Sequence, residues 1–268
     1  MTVTIKHRNV YLFIVSCSLL AIVSCNLFKI EVSDKRNPVL RTLLLEKNIE
    51  ISAPGAIRIS KTDFFPACFC IKVKDKLLYI DPIKIGDTVK ADYILITHAH
   101  PDHFSKQDIH KLLKPETIII CPRRVAKRLD RQVDRIVKVE PGDSLTLDDH
   151  LKIEAIAAYN LEPAFLWLKG HPKAKKNTGY VVTSNRTRIY HAGDTDYVPE
   201  MDRLRNINLA LIPIGDDHLT MDVEAAVGFI NHLKPEYVIP MHYDMKERND
   251  LEKFRGLIDQ KISVIILE

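Results

Sequence analysis

Three histidines and one aspartate occur within a stretch of six residues, and these side chains are common metal ligands. The stretch follows residues 94–96, a short apolar run typical of a strand buried on both faces. His98 and His100 are separated by one residue, so in extended backbone both imidazoles point to the same side. Asp102 and His103 follow, beyond a proline that turns the chain. Imidazoles and a carboxylate at the end of a rigid strand favour a borderline transition metal such as zinc.

Two later segments also place a polar residue just after an apolar strand. Residues 188–191 lead into a turn at Gly193, where the missing side chain lets the backbone bend sharply and present Asp194. Residues 237–240 lead in the same way to His242. Both are strand-end residues of the same kind as the first two histidines. We therefore predict that they join the same metal site.

The wider pattern predicts an α/β fold. Apolar runs typical of strands cluster first and then alternate with helical segments along both halves of the chain. Strands that are apolar throughout need cover on both faces. We therefore predict a four-layer αβ/βα sandwich, with a short helix formed around Leu40, Leu43, Leu44 and Ile49 near its start.

The motif His-x-His-x-Asp-His, together with Gly193-Asp194-Thr195 and His242, resembles the signature of the metallo-β-lactamase superfamily. The superfamily's fold is the same four-layer sandwich. The resemblance implies that Asp194 bridges two metal ions and that His242 completes the second metal site. It also implies a third histidine ligand for the first site, located between the two motifs.

Four histidines lie between the two motifs, and the third ligand is one of them. We choose His171, because it lies in a loop between two predicted strands, the position at which the family carries this ligand. The other three histidines stay as alternatives, and they lie in a predicted helix, in a charged turn and at the end of a strand: His110, His150 and His191.

The resemblance divides seven ligands into two groups with one shared member. The first site comprises His98, His100 and His171, the second comprises Asp102, His103 and His242, and Asp194 bridges them. Each site keeps an open position for water, as catalytic metal sites do. A water shared by two metal ions becomes a hydroxide near neutral pH and can act as a nucleophile. Asp102 and Asp194 are the predicted catalytic carboxylates, and zinc is the favoured metal, although manganese, iron or nickel can use such ligands.

A narrower resemblance concerns the lactonase-like branch, which includes L-ascorbate-6-phosphate lactonase and the N-acyl-phosphatidylethanolamine-hydrolysing phospholipases. It rests on residues 190–196, 213–215, 220–222 and 241–243. His218 and Asp222 lie near a predicted helix start facing the cleft, and we expect them to contact the substrate or donate a proton to its leaving group. The alternative is that they serve as a surface residue and a helix cap.

Three functions of different classes follow. The first is a metal-dependent hydrolase that cleaves an ester, lactone or phosphodiester bond. The second is a membrane-associated phosphodiesterase acting on a phospholipid-type substrate. The third is a non-catalytic metal-binding lipoprotein, ranked last because metal capture gains nothing from a bridging aspartate. The formal charge of +4 is modest, and we expect no nucleic-acid partner.

The N-terminus predicts a membrane location outside the cytoplasm. A basic start precedes an almost wholly apolar segment over residues 10–23, and Cys25 then fits the lipidated residue of a lipoprotein signal. An uncleaved anchor is the alternative. We therefore divide the chain into a signal over residues 1–25, a polar tether over 26–38 and a single hydrolase domain over 39–268.

Overall fold

The computed structural model describes most of the chain beyond its N-terminal segment. The described residues are 30–33, 42–54, 56–59, 61–86, 89–129, 133–164, 167–215, 218–246 and 248–267. The predicted signal over residues 1–25 lies outside them and stays a prediction. Among the helices that the structure describes, none is both long enough and apolar enough to cross a membrane.

Two seven-stranded sheets form the centre of the fold. The first contains, in spatial order, β10 (Ile136–Val139), β9 (Ile118–Pro122), β8 (Tyr93–Leu95), β7 (Lys76–Ile80), β6 (Phe69–Val73), β3 (Ile49–Ser52) and β2 (Thr42–Glu46). The second contains β11 (Ser144–Asp148), β12 (Leu151–Ala158), β13 (Asn177–Ser184), β14 (Thr187–His191), β15 (Leu209–Pro213), β16 (Tyr237–Met241) and β18 (Ser263–Val264). Strands β7 to β10 pair in parallel, as do β14, β15, β16 and β18, so each sheet gathers several strand ends at one edge.

Helices cover the outer faces of both sheets. The described helices are α1 (Lys106–Leu112), α2 (Arg123–Ala126), α3 (Val223–Leu233) and α4 (Arg248–Leu257). Ile109 of α1 and Val125 of α2 belong to one apolar cluster with the first sheet, whereas Phe229 of α3 and Phe254 of α4 belong to the core shared by both sheets. The predicted four-layer αβ/βα sandwich is confirmed.

The predicted tether over residues 26–38 is wrong at its centre. Ile30–Val32 forms strand β1, which pairs antiparallel with β4 (Ile57–Ile59) in a small third sheet. That sheet also contains β5 (Thr62–Phe65) and β17 (Tyr243–Asp244). Charged residues on both sides of Ile30 concealed the strand, which is held by pairing with β4 and by the packing of the partly buried Ile30 against the apolar cluster of the first sheet. The domain therefore includes at least Ile30, ahead of the predicted start at residue 39.

The predicted short helix around Leu43 is also wrong. Leu43 and Leu44 lie in β2, which forms a hairpin with β3. Burial alternates along β2, with Leu44 on the exposed side, and Leu43 lies opposite the buried Ile51. Leucines at such close spacing fit either period, and pairing with β3 selected the strand.

The two large sheets are linked by a buried tyrosine. The Tyr180 hydroxyl on β13 donates to the carbonyl of Ile96 (2.8 Å), the residue that follows β8 in the other sheet. Beside it, the Thr178 backbone N–H donates to the Thr97 carbonyl (3.1 Å). These bonds hold the segment that carries His98 against the second sheet.

Replacing Tyr180 by Phe should lower the free energy of unfolding by about 1–2 kcal/mol, because the buried Ile96 carbonyl loses its hydroxyl donor. Tyr190→Phe is the matched control. Tyr190 is also fully buried in the second sheet, but its hydroxyl has no hydrogen-bond partner among the described residues, so its removal should be neutral or stabilising. Denaturant titration of both variants measures the difference, and equal losses would contradict the assigned bond.

Candidate metal centre

The structure brings all seven predicted metal ligands together at one edge of the sandwich. His98 and His100 follow strand β8, Asp194 follows β14, and His242 follows β16. Each of these strands pairs in parallel with at least one neighbour, so the residues that follow them emerge at the carboxyl ends of the parallel strands. Ligands that are distant in sequence thus meet because of sheet topology.

The first group contains three histidines and Asp194. His171 Nε2 lies 3.2 Å from His98 Nε2 and 3.0 Å from His100 Nδ1. Asp194 Oδ2 lies 3.5 Å from His171 Nε2 and 3.6 Å from His98 Nε2. One ligand atom from each of the four residues lies within 4.8 Å of the others.

The second group contains Asp102, His103, His242 and again Asp194. His103 Nε2 lies 3.2 Å from Asp194 Oδ1 and 3.5 Å from Asp102 Oδ2. His242 Nε2 lies 3.4 Å from each of the two aspartates. Asp194 is therefore common to both groups, and its two oxygens face different histidines.

The donor atoms fit divalent metal ions. Imidazole nitrogens and carboxylate oxygens are the ligands that zinc and similar ions prefer. Several of these buried atoms have no hydrogen-bond partner among the described residues: His103 Nε2, His242 Nδ1, His242 Nε2 and Asp194 Oδ1. Buried polar groups are normally paired, so atoms left unpaired and aimed at one another indicate a place for a cation.

The electrostatics hold the carboxylates ionised. Burial alone would raise the pKa of Asp194, but His103 and His242 nearby lower it well below its ordinary value. Burial would likewise raise the pKa of Asp102, and His103 and His242 instead lower it to about 2. The centre thus keeps two negative charges, which favour the binding of a cation.

The histidines divide according to how close they lie to those carboxylates. Burial lowers the pKa of His98 well below its ordinary value and that of His171 to about 4. Burial acts in the same direction on His103, but Asp194 and Asp102 raise its pKa well above the ordinary value. The pKa of His242 is raised by the same two carboxylates against the effect of its burial. The histidines of the first group are therefore neutral near pH 7, as metal ligands must be. His103 and His242 of the second group take up a proton more readily, which offsets the negative charge of the two carboxylates.

Asp81, which no motif of the sequence singled out, orients two of the ligands. Its Oδ1 accepts from the Thr97 N–H (2.7 Å), and its Oδ2 accepts from the Thr97 hydroxyl (2.6 Å) and from His103 Nδ1 (2.7 Å). Because the Thr97 hydroxyl donates to Asp81, it accepts from His98 Nδ1 (3.0 Å). Each imidazole then directs Nε2 into the centre, as buried carboxylates commonly arrange for metal-bound histidines.

Asn160 plays the same part for His171 and was also missed. His171 Nδ1 faces two acceptors, Asn160 Oδ1 (3.0 Å) and the Leu219 carbonyl (3.1 Å), so that nitrogen carries the proton and Nε2 points at the other histidines. The Asn160 amide donates to Asp196 Oδ1 (3.0 Å) and to the Leu219 carbonyl (2.9 Å). The only sequence signal for Asn160 was a polar residue two positions beyond the end of strand β12.

An unusual backbone conformation sets the position of His242. Its φ of +56° lies in the left-handed region, which non-glycine residues seldom adopt. The neighbouring Gly215 leaves the room for this turn, because a Cβ atom at that position would overlap the His242 carbonyl oxygen. The edge of the Phe64 ring contacts the imidazole, with ring centroids 4.6 Å apart.

The three alternative histidines lie elsewhere. His110 and His150 are exposed to solvent. His191 is buried; its Nε2 donates to the Ala67 carbonyl (2.8 Å), and its Nδ1 accepts from the Gly193 N–H (3.1 Å). His191 thus supports the turn that presents Asp194.

His218 and Asp222 line a separate cavity of about 310 Å³ together with Asp196 and Tyr197. None of the seven predicted ligands lines this cavity. The Asp222 carboxylate caps α3 by accepting from the Ala225 N–H (2.7 Å), as the alternative interpretation stated. A substrate contact by either residue stays a prediction.

Replacing Asp81 by Asn should weaken metal binding about 10–100-fold, because the acceptor that orients His103 and Thr97 becomes partly a donor. Isothermal titration with zinc measures the affinity. Asp75→Asn, in the exposed hairpin tip between β6 and β7, is the control and should bind zinc like the parent chain. Unchanged affinity in the Asp81 variant would contradict the orienting role.

Comparison with known proteins agrees with this geometry. A family model described as a beta-lactamase superfamily domain matches residues 69–243, which include all seven ligands. A UPF0173 metal-dependent hydrolase of Thermococcus onnurineus is 32% identical over 73% of this chain and 91% of its own length.

Solved structures show the same relationship. A crystallised protein of Parabacteroides distasonis, provisionally named a metal-dependent hydrolase, has a TM-score of 0.69 at 28% identity and covers 85% of this chain and 98% of its own. A metallo hydrolase of Ignicoccus hospitalis has a TM-score of 0.57 at 27% identity and covers 76% and 93%. These names support no narrower branch, so the lactonase and phospholipase resemblance stays a prediction. The chain belongs to the metallo-β-lactamase superfamily and is one of its metal-dependent hydrolases.

Proposed function

We propose that the protein holds two divalent metal ions, with zinc as the first choice, and cleaves an ester, lactone or phosphodiester bond. The observation that carries this proposal is the position of Asp194. Its Oδ2 lies 3.5 Å from His171 Nε2 in the first group, and its Oδ1 lies 3.2 Å from His103 Nε2 in the second. A carboxylate shared in this way suits a bridge between two ions, and a single-metal site has no use for it.

Two divalent ions held there would lower the pKa of a shared water toward neutrality, supply it as hydroxide, and polarise the oxygen of the bond to be cleaved. The chain's own contribution is charge and orientation. Asp194 and Asp102 stay ionised and offset the positive charge. Asp81, Thr97 and Asn160 fix the ring nitrogens that face the centre. Such fixed groups need no reorganisation during reaction.

A cluster of positive charge favours an anionic substrate, and so a phosphodiester over a neutral ester. Arg128 Nη1 donates to the Ala99 carbonyl (2.6 Å), between His98 and His100. Lys175 Nζ donates to the Gly170 carbonyl (2.9 Å), next to His171. Burial lowers the pKa of Lys175, and the charges of Arg128 and of the nearby Arg124 lower it further. Within the described part of the chain, none of the three cations pairs with a carboxylate.

The two other functions predicted from the sequence have less support. A metal-binding lipoprotein without catalysis leaves the shared Asp194 unexplained. A phosphodiesterase acting on a phospholipid-type substrate is compatible with the cationic cluster. It would also need access to a lipid surface.

Replacing Asp194 by Asn should remove metal from both sites, whereas Asp102→Asn should lower the metal content toward one equivalent. Both variants should lose about 10²-fold or more in turnover, since changes around metal ligands alone cost 10–100-fold. Metal analysis and hydrolysis of bis(p-nitrophenyl) phosphate provide the readouts. Asp143→Asn, in an exposed turn, is the control and should keep both metals. Chelation should abolish activity and zinc or manganese should restore it, so a chelator-resistant hydrolase would contradict the proposal.

Replacing Arg124 and Arg128 by Gln should lower kcat/KM about fivefold for bis(p-nitrophenyl) phosphate and leave neutral p-nitrophenyl acetate unchanged. The reason is that two positive charges near the centre stabilise a bound anion by about 1 kcal/mol at a solvent-exposed site, where the dielectric constant is high. Lys127→Gln, an exposed neighbour of Arg128, is the control for lost charge. Equal effects on both substrates would argue against anion selection and leave the metal mechanism intact.

A further inference from the structure

Three large apolar side chains are exposed in the loop that joins Asn160 to His171. Trp167 is 77% exposed, Leu168 is 57% exposed and Leu161 is 43% exposed. Single exposed leucines are ordinary in soluble proteins, but an aromatic and two leucines in one loop are a concentrated apolar surface. Surfaces of this kind mark contacts with partners or membranes.

The base of this loop is part of the metal centre. The Asn160 N–H donates to the His171 carbonyl (2.8 Å), and the His171 N–H donates back to Asn160 Oδ1 (2.8 Å). Further out, the Ala164 N–H donates to the Leu168 carbonyl (2.9 Å). Among the described residues of this loop, the exposed apolar side chains therefore lie close in sequence to two ends that are fixed at a predicted metal ligand.

Cations surround the base of the same loop. Lys169 Nζ donates to the Leu161 carbonyl, and Lys175 Nζ donates to the Gly170 carbonyl (2.9 Å). Arg128 is bound to Ala99 beside the first two histidines. An apolar tip with a cationic border has the composition of surfaces that insert into the interface of an anionic bilayer.

We propose that Leu161, Trp167 and Leu168 insert into an anionic lipid surface, with the neighbouring cations on the headgroups, so that the metal centre faces the membrane. Tryptophan suits this position, because its ring is apolar and its N–H can stay at the wet interface. A protein partner would not require the cationic border. The inference goes beyond the proposed function and does not depend on which bond is cleaved.

Trp167 is the only tryptophan of the chain, so its fluorescence reports on this loop alone. Full-length protein is mixed with phosphatidylcholine vesicles with or without phosphatidylglycerol, and with the same lipids brominated on the acyl chains. Emission should shift to shorter wavelength and be quenched by bromine, more strongly on the anionic vesicles. Salt should weaken the effect, because it screens the headgroup charge.

Leu161→Ser with Leu168→Ser should abolish the quenching, whereas Leu44→Ser with Leu257→Ser, at two equally exposed leucines elsewhere, should retain it. Arg128→Gln should weaken binding to anionic vesicles about fivefold, and Lys175→Gln should do the same. Circular dichroism shows whether each variant is folded.

Two results would overturn the inference. The first is unshifted, unquenched Trp167 emission in protein that nevertheless sediments with vesicles, since the apolar N-terminal segment would then account for all binding. The second is a shift without lipid that grows with protein concentration, since a second copy of the chain would then cover the loop.

Discussion

A buried carboxylate, Asp81, holds the centre of the molecule together. It accepts three hydrogen bonds, from the Thr97 backbone, the Thr97 hydroxyl and His103. An ionised group away from water is costly unless its oxygens are all paired, so the position of Asp81 requires the turn after β8 to take one conformation. That turn carries the histidines, and the hydrogen-bonding requirement of one side chain thereby sets the geometry of the whole centre.

The sandwich supplies the rigid support for this arrangement. Parallel strands from both sheets end at the same edge, and polar residues of the centre follow four of them there: β7, β8, β14 and β16. Tyr180 and the backbone of Thr178 lock the two edges together. The segment that follows β15 can lie close to His242 because Gly215 has no side chain. This glycine makes room for the left-handed turn at His242. Chemistry at a sheet edge is thus a consequence of topology as much as of residue choice.

The loop from Asn160 to His171 connects the metal centre to the solvent-exposed surface of the protein. Its inner end fixes the proton on His171, and its outer part exposes Trp167 to solvent. The exposed side chains of this loop therefore lie close in sequence to two ends that are fixed at the metal centre. Under the two proposals, the cations at the base of the loop would attract an anionic substrate at the centre and anionic lipid beside it. One short segment would then determine both the preference for an anionic substrate and the binding of the protein to a membrane.

Local pattern was enough to predict much of this protein. His98, His100, Asp102 and His103 lie so close in sequence that one short segment carries all four, and apolar runs predicted most strands and the layered fold. Pairing decided the rest. Leu43 and Ile30 lie in strands because partners across a sheet satisfy their backbones, which residue spacing does not reveal. His171 was one of four candidate histidines, and only the meeting of two distant loops placed it 3.0 Å from His100. Asp81 and Asn160 escaped notice for the same reason, since a supporting carboxylate or amide has no local signature and is defined only by what the folded chain sets beside it.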